Sequence, residues 1–165
     1  TPGSFMPSQF DNPNNPLAHE LGTGPELIEQ LGGGIAAFVT GVGTGGTFTG
    51  VGRVLRRHLG NKVQLIAVEP AASAVLSGEA AGLHGIQGLG AGFIPKIMDR
   101  SLMDGVVKVS DIAAERMCRR LAAEEGLLVG PSSGANVHAA LQVAAQLGKG
   151  KVVTVLCDSG ERYLF

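Results

Sequence analysis

An apolar run closed by a glycine-rich turn restricts the fold of this chain more than any other feature. Residues 35–39 are continuously apolar, four of the six residues 41–46 are glycines, and a helical pattern covers 47–59. A run of this length predicts a buried strand, and residues 63–68, which are apolar except for Gln64, are a second strand candidate. Because strand, helix and strand follow one another within about thirty residues, we expect a right-handed parallel crossover. The feature therefore predicts α/β architecture.

The rest of the chain continues this alternation. A threonine, a proline and an acid at 23–26 are typical of a helix start, and glycines at 32–34 end that segment. By the same criteria we expect strands at 106–109, 127–129 and 152–156, a helix capped by Ser110 with the apolar stripe Ile112, Met117, Leu121 and Ala122, and a helix at 132–147. The predicted fold is α/β: a mostly parallel sheet with helices on both faces.

Length and composition limit the organisation of the chain. At 165 residues it predicts a single α/β domain over 1–165, and residues 1–22, which show no usable periodicity, predict an irregular lead-in segment. Thirteen basic and fourteen acidic residues give a net charge of -1, so a nucleic-acid partner is not expected. Since no apolar stretch approaches the roughly 18 residues of a membrane span, we expect no membrane partner and a cytoplasmic location.

The metal-ligating residue types are few and scattered. Four histidines and two cysteines share no ligand spacing, so no metal site is expected. Cys118 lies in a helical pattern and Cys157 ends an apolar run. Both cysteines are interpreted as small buried hydrophobic residues.

The turn at 41–47 has the composition of an anion site. A helix N-terminus offers unpaired N–H groups and a partial positive charge, and glycines let an anion approach them closely. Thr44 and Thr47 add hydroxyl donors, while the turn holds no cation. This composition favours a phosphate monoester held by neutral donors. An ATP site is disfavoured, because the turn lacks the lysine of the Walker pattern.

A dinucleotide site is the alternative for the same turn. Gly41, Gly43 and Gly46 satisfy G-x-G-x-x-G, and Glu69 ends the next strand, where an acid that binds ribose is expected. The two threonines in the turn argue against a pyrophosphate site. A non-catalytic anion-binding or interaction module also remains open.

A second turn, at 130–134, again joins a strand to a helix and spells G-x-S-x-G. As a nucleophile elbow it would need an acid and then a histidine further along the chain. His138 precedes Asp158, so the triad order fails. Ser132 is better interpreted as a hydroxyl at a helix N-terminus that points into the same crevice as the first turn. A simple helix cap without a ligand is the alternative.

Several motifs together resemble one family. In chain order they are Gln9–Pro13 with Asn15-Pro16, Thr23–Glu26, the glycine turn with Phe48–Gly52, Val68–Pro70, His84–Pro95, Ser132–Ala135 and Asp158–Tyr163. They resemble the cysteine synthase (O-acetylserine sulfhydrylase) family of fold type II pyridoxal-phosphate enzymes. The resemblance covers roughly the C-terminal half of the family chain, so the sequence is expected to be a fragment or a truncated product.

The resemblance implies pyridoxal 5'-phosphate as the cofactor. It assigns the cofactor phosphate to Gly43, Thr44, Gly45, Gly46 and Thr47, and the pyridine nitrogen to Ser132. A hydroxyl at that nitrogen suits elimination and addition at the β-carbon. Gln87 and Gly88, in the glycine-rich connection at 70–100, would line the substrate entrance.

The resemblance also implies an activity and partners. The family replaces the acetate of O-acetylserine by sulfide and so makes cysteine. The stretch that contains His84 resembles the surface that receives the C-terminal tail of serine acetyltransferase, and the intact enzyme is expected to be a homodimer. None of the lysines has the family's Ser-x-Lys context, so no catalytic residue is assigned and the chain alone is expected to be inactive.

Overall fold

Four parallel strands form one sheet in the computed structural model, which describes residues 1–163. The strands are β1 (Ile35–Gly41), β2 (Gln64–Pro70), β3 (Gly105–Val109) and β4 (Lys151–Thr154), in the order β3-β2-β1-β4. Every pairing between them is parallel. Their carboxyl ends therefore share one edge of the sheet, where α/β proteins place ligands.

Helices cover both faces of this sheet. They are α1 (Asn14–Leu21), α2 (Thr23–Leu31), α3 (Gly46–Leu59), α4 (Asp111–Glu125) and α5 (Pro131–Leu147). Alternate residues of β2 point to opposite faces: Leu65 and Ala67 join the core beneath α3, whereas Ile66 and Val68 join the core beneath α5. The predicted fold class, a mostly parallel sheet with helices on both faces, is confirmed.

Helix α1 lies within the stretch for which an irregular segment was expected. The prediction over residues 1–22 is wrong for 14–21, since α1 begins after Pro13 and holds Pro16 in its first turn, where proline is tolerated. The helix packs on α3 because Gly50 has no side chain. A Cβ at Gly50 would overlap the Pro16 carbonyl oxygen. Packing on α3 therefore stabilises α1, whose own sequence lacks the periodic apolar pattern that would have predicted a helix.

Two further predictions are wrong. Residues 127–129 form no strand: Val129 makes an isolated antiparallel bridge with Ser159, and Leu127 and Leu128 are exposed.

The apolar stripe expected for α4 is also partly misplaced, because Ile112 and Ala122 are exposed. The residues of α4 that are buried are Ala114, Met117 and Leu121, at helical spacing. The cap at Ser110 is confirmed, since its hydroxyl accepts a hydrogen bond from the N–H of Ala113 at 3.2 Å.

Neither cysteine is fully buried, in contrast to the interpretation from sequence. Cys118 is half-buried and Cys157 is exposed, because it lies beyond the end of β4 and beside the turn that opens α5. Residues 1–163 contain no group of three or more His, Cys, Asp or Glu side chains placed to hold a metal ion. Over the same residues, no helix is both long and apolar enough to cross a membrane.

Candidate functional site

The glycine turn joins the carboxyl end of β1 to the first turn of α3. Gly45 is the N-cap of α3 and adopts a left-handed conformation with φ of 83°, which glycine takes without strain. A Cβ at Gly43 would overlap the carbonyl oxygen of Gly88, so the turn and the loop at 85–90 approach closely. The N–H groups that open α3 have no helical partners and carry partial positive charge. The turn therefore has the geometry of an anion cradle.

Side chains of α1 support this turn from behind. The amide nitrogen of Asn15 donates to the Thr44 hydroxyl at 3.0 Å and to the Gln9 carbonyl at 2.9 Å. His19 lies 3.2 Å from the Thr47 hydroxyl through Nε2 and 3.0 Å from the Thr23 hydroxyl through Nδ1. Burial lowers the pKa of His19, which favours its neutral form. Both threonines of the turn are thus held by a side chain.

The second turn opens α5 at the same edge of the sheet. Asn136 is fully buried, and its Oδ1 accepts from the N–H of Gly41 at 2.7 Å while its Nδ2 donates to the Val155 carbonyl at 2.8 Å. The Ser133 hydroxyl accepts from the N–H of Cys157 at 2.8 Å. These bonds fix α5 against the ends of both β1 and β4. Ser132, which is 4% exposed, borders the space between the two turns.

One cavity of about 430 Å³ is lined by all the residues that the sequence analysis assigned to the cofactor or to the substrate entrance. Those that line it are Gly43, Thr44, Gly45, Gly46, Thr47, Gln87, Gly88 and Ser132. The structure therefore brings together the glycine turn, the start of α5 and the long loop. The binding roles of these residues stay predictions.

The same cavity is lined by residues to which sequence reasoning assigned no role. They include Gln9, Cys157, Asp158, Arg162 and Tyr163. The Tyr163 hydroxyl donates to the Asp158 carboxylate at 2.6 Å, and this hydrogen bond raises the pKa of Tyr163. Arg162 brings a cation to the cavity that the turn itself lacks. Gln9 lies in the motif Gln9–Pro13, and Asp158, Arg162 and Tyr163 lie in the motif Asp158–Tyr163. Both motifs contributed to the family resemblance, so the resemblance was the one signal in the sequence that pointed to these residues.

Glu69 is committed to the fold and is not available to a ribose. Its side chain is 1% exposed and accepts from the N–H groups of Leu76 and Ser77 at 2.7 and 3.1 Å. It also accepts from the Ser77 hydroxyl at 2.5 Å. The carboxylate therefore anchors the start of the long loop, and the dinucleotide interpretation loses its acidic residue.

A larger cavity of about 520 Å³ lies beside α4. It is lined by Ile86, Ala122, Leu128 and Val129 among others, and by none of the residues singled out as cofactor or substrate residues. Tyr163 borders both cavities. The residues of the glycine turn, whose N–H groups and hydroxyls suit an anion, line the smaller cavity.

Residues 1–158 match a family model described as "Pyridoxal-phosphate dependent enzyme". The chain belongs to this family. The "Cysteine synthase" of Staphylococcus aureus (strain Mu50) is 56% identical over 164 residues, which are 98% of this chain and 53% of that relative. The chain spans about half the length of the curated relatives it matches.

Solved structures of family members share this fold. O-acetylserine sulfhydrylase isoform 3 from Entamoeba histolytica is 41% identical, with a TM-score of 0.93 over 97% of this chain and 48% of that chain. O-ureido-L-serine synthase is 43% identical, with a TM-score of 0.93 over 98% of this chain and 52% of that chain. The backbone of this chain is therefore similar to those of the two solved structures, in agreement with the family assignment from sequence.

Proposed function

We propose that residues 1–165 form one α/β domain that holds pyridoxal 5'-phosphate, in a protein that replaces the acetate of O-acetylserine by sulfide to give cysteine. The observation that carries the proposal is the cavity shared by the glycine turn and Ser132. The name of the staphylococcal relative supports the activity. A cytoplasmic location belongs to the same proposal.

The turn fits the phosphate group of this cofactor. Because Gly43 has no Cβ, the Gly88 carbonyl comes close to the turn, and both residues line the same cavity. The N–H groups that open α3 and the hydroxyls of Thr44 and Thr47 would donate to the phosphate oxygens. Arg162 would add a positive charge at the cavity wall. Neutral donors at a helix N-terminus are sufficient to bind a phosphate monoester.

Ser132 would accept or donate a hydrogen bond at the ring nitrogen of the cofactor. A hydroxyl is neutral, so unlike a carboxylate it does not stabilise a protonated ring. When bound, pyridoxal phosphate supplies an electron sink for reactions of amino acids. With the cofactor bound, the Ser132 hydroxyl would thereby favour replacement at the β-carbon. Gln87 and Gly88, on the loop that faces this hydroxyl, would line the substrate entrance.

The lysine that would bind the cofactor covalently is not supplied by the described part of the chain. The five lysines are Lys62, Lys96, Lys108, Lys149 and Lys151, and none of them lines the cavity of residues 1–163. Lys96 and Lys108 instead pair with Asp11 and Glu79. We therefore propose that the chain binds the cofactor without catalysing the reaction alone. A homodimer and the C-terminal tail of serine acetyltransferase are the proposed partners of the whole protein.

Thermal unfolding with two ligands tests the cofactor proposal. Pyridoxal phosphate should raise the midpoint of unfolding, because a ligand that binds only the folded state stabilises it, whereas NAD should leave it unchanged. Stabilisation by NAD alone would contradict the proposal.

An activity assay tests the proposed lack of a catalytic lysine. Incubating the chain with pyridoxal phosphate, O-acetylserine and sulfide should yield no cysteine. Cysteine formation would contradict the proposed lack of a catalytic lysine.

A further inference from the structure

His19 is a half-buried imidazole with both ring nitrogens in contact with hydroxyls. Nε2 lies 3.2 Å from Thr47 Oγ1, and Nδ1 lies 3.0 Å from Thr23 Oγ1. Thr47 also lines the cavity, so the residue whose hydroxyl contacts the imidazole borders the candidate anion site. The imidazole thus lies behind the anion cradle, in position to determine which way a hydroxyl proton points.

We propose that His19 is a positioning residue that makes Thr47 a hydrogen-bond donor to the bound phosphate. The inference rests on the proposed function, because it requires a phosphate in the glycine turn. It assigns a role to a residue outside the turn that touches no ligand itself.

The proton count of the three groups supports this role. A threonine hydroxyl has one proton, so Thr47 can donate either to an anion or to the imidazole. If it donates to the phosphate, its oxygen must accept from Nε2–H of His19. A neutral imidazole then has Nδ1 free of a proton, and Nδ1 accepts from the Thr23 hydroxyl. Anion binding therefore selects the Nε2–H tautomer of His19.

The surroundings of the imidazole favour this neutral arrangement. Burial lowers the pKa of His19, so the ring has a single N–H to place. The neighbouring acid on α1, Glu20, is paired with Arg53 and Arg57 of α3. The Glu20 carboxylate is thus engaged by cations and does not accept the imidazole N–H.

Two amide variants of His19 provide a matched test, since each keeps a polar group at only one end of the ring. His19→Gln places an amide nitrogen where Nε2 lies, toward Thr47, and His19→Asn places it where Nδ1 lies, toward Thr23. Equilibrium dialysis of pyridoxal phosphate should give H19Q an affinity within about twofold of the original chain. H19N should lose roughly fivefold to tenfold, the worth of one hydrogen bond.

The Thr47→Val background separates positioning from folding. In chains that carry T47V, H19N should cause no further loss of affinity, because the hydroxyl it positions is gone. A loss that persists in this background, or an H19N affinity equal to that of the original chain, would overturn the inference. If the original chain binds no pyridoxal phosphate, the proposed function fails and this inference fails with it.

A spectroscopic measurement on the unsubstituted chain tests the inference without a variant that could misfold. The ¹⁵N shifts of the His19 ring report which nitrogen carries the proton. Saturating inorganic phosphate should shift the amides of 43–47 and place the ring proton on Nε2. Amide shifts with the proton on Nδ1 would overturn the inference while leaving the phosphate site intact. Absence of amide shifts would contradict both.

Discussion

The two turns at the carboxyl edge of the sheet are built from similar residues but use them differently. Residues 43–47 line the cavity, and Asn15 and His19 of α1 contact the hydroxyls of Thr44 and Thr47. At the start of α5, Ser133 and Asn136 are fully buried and bind backbone groups of neighbouring strand ends. The first turn therefore leaves most of its polar groups at the cavity, whereas the second uses most of its polar groups to hold the fold together.

This contrast shows that a helix N-terminus does not by itself indicate a ligand. The first turn offers many donors because its supports come from another helix. The second turn offers mainly the Ser132 hydroxyl, because its other polar side chains are used by the protein. We expect substitutions in the second turn to reduce stability and substitutions in the first to reduce binding.

The largest expected effect is on stability, from Asn136→Leu. The variant leaves the N–H of Gly41 and the carbonyl of Val155 without their buried partner, at a cost of about 2–4 kcal/mol. Urea denaturation measures this loss. The matched control, Gln142→Leu at an exposed position of the same helix, should cost less than about 0.5 kcal/mol. An equal loss of unfolding free energy in the two variants would contradict the structural role assigned to the second turn.

A smaller effect, on binding, is expected from Gly43→Ala. The added Cβ overlaps the Gly88 carbonyl and must displace the turn or the loop. We expect an affinity for pyridoxal phosphate about 30-fold weaker, equivalent to about 2 kcal/mol, in a fluorescence titration. Gly33→Ala is the control, since a Cβ there meets no atom within 4 Å. An unchanged affinity in G43A would contradict the cradle.

Neighbouring serines sharpen the comparison within the second turn. Ser132→Ala should weaken the binding of pyridoxal phosphate by roughly fivefold, about 1 kcal/mol, with stability preserved, because Ser132 lines the cavity. Ser133→Ala should reduce stability by about 1 kcal/mol, because the N–H of Cys157 loses its acceptor. Dialysis and urea denaturation together measure both quantities. The reverse pattern would exchange the assigned roles.

The smallest expected effect is a pH dependence from His19. Its pKa in the folded chain is lowered by burial from the ordinary 6.5, so the unfolded chain takes up the proton more readily. The stability contribution of this group is complete above pH 6.5 and is lost as the pH falls below it. His19→Gln should flatten that part of the curve of unfolding free energy against pH. A curve of unchanged slope would show that burial does not suppress protonation of His19.

The sequence pattern predicted a strand or helix correctly where the residues of that element alone were sufficient to identify it. The apolar runs of β1 and β2 are buried on both faces, so composition alone identified them. Helix α1 was missed because it depends on Gly50, which is distant in the chain. The false strand at 127–129 failed for the opposite reason, since Leu127 and Leu128 have no partner strand among the described residues.

The candidate site shows the same division. The glycine turn and Ser132 were recognisable because strand-to-helix turns at the carboxyl edge face a crevice. Asn136, Asn15 and His19 were not recognisable, since their roles depend on bonds that span up to 95 residues of sequence. Pattern can thus indicate where a ligand binds, whereas the supports of the site require the tertiary contacts.

A backbone amide map on adding pyridoxal phosphate tests the central claim most directly. The account predicts that the largest shift changes fall on residues 43–47, with Ser132 affected next. It would be contradicted if these amides stayed unchanged while shifts appeared elsewhere, for example around the cavity beside α4. That result would place the ligand away from the glycine turn at 43–47. It would then no longer be justified to assign binding to the first turn and stability to the second.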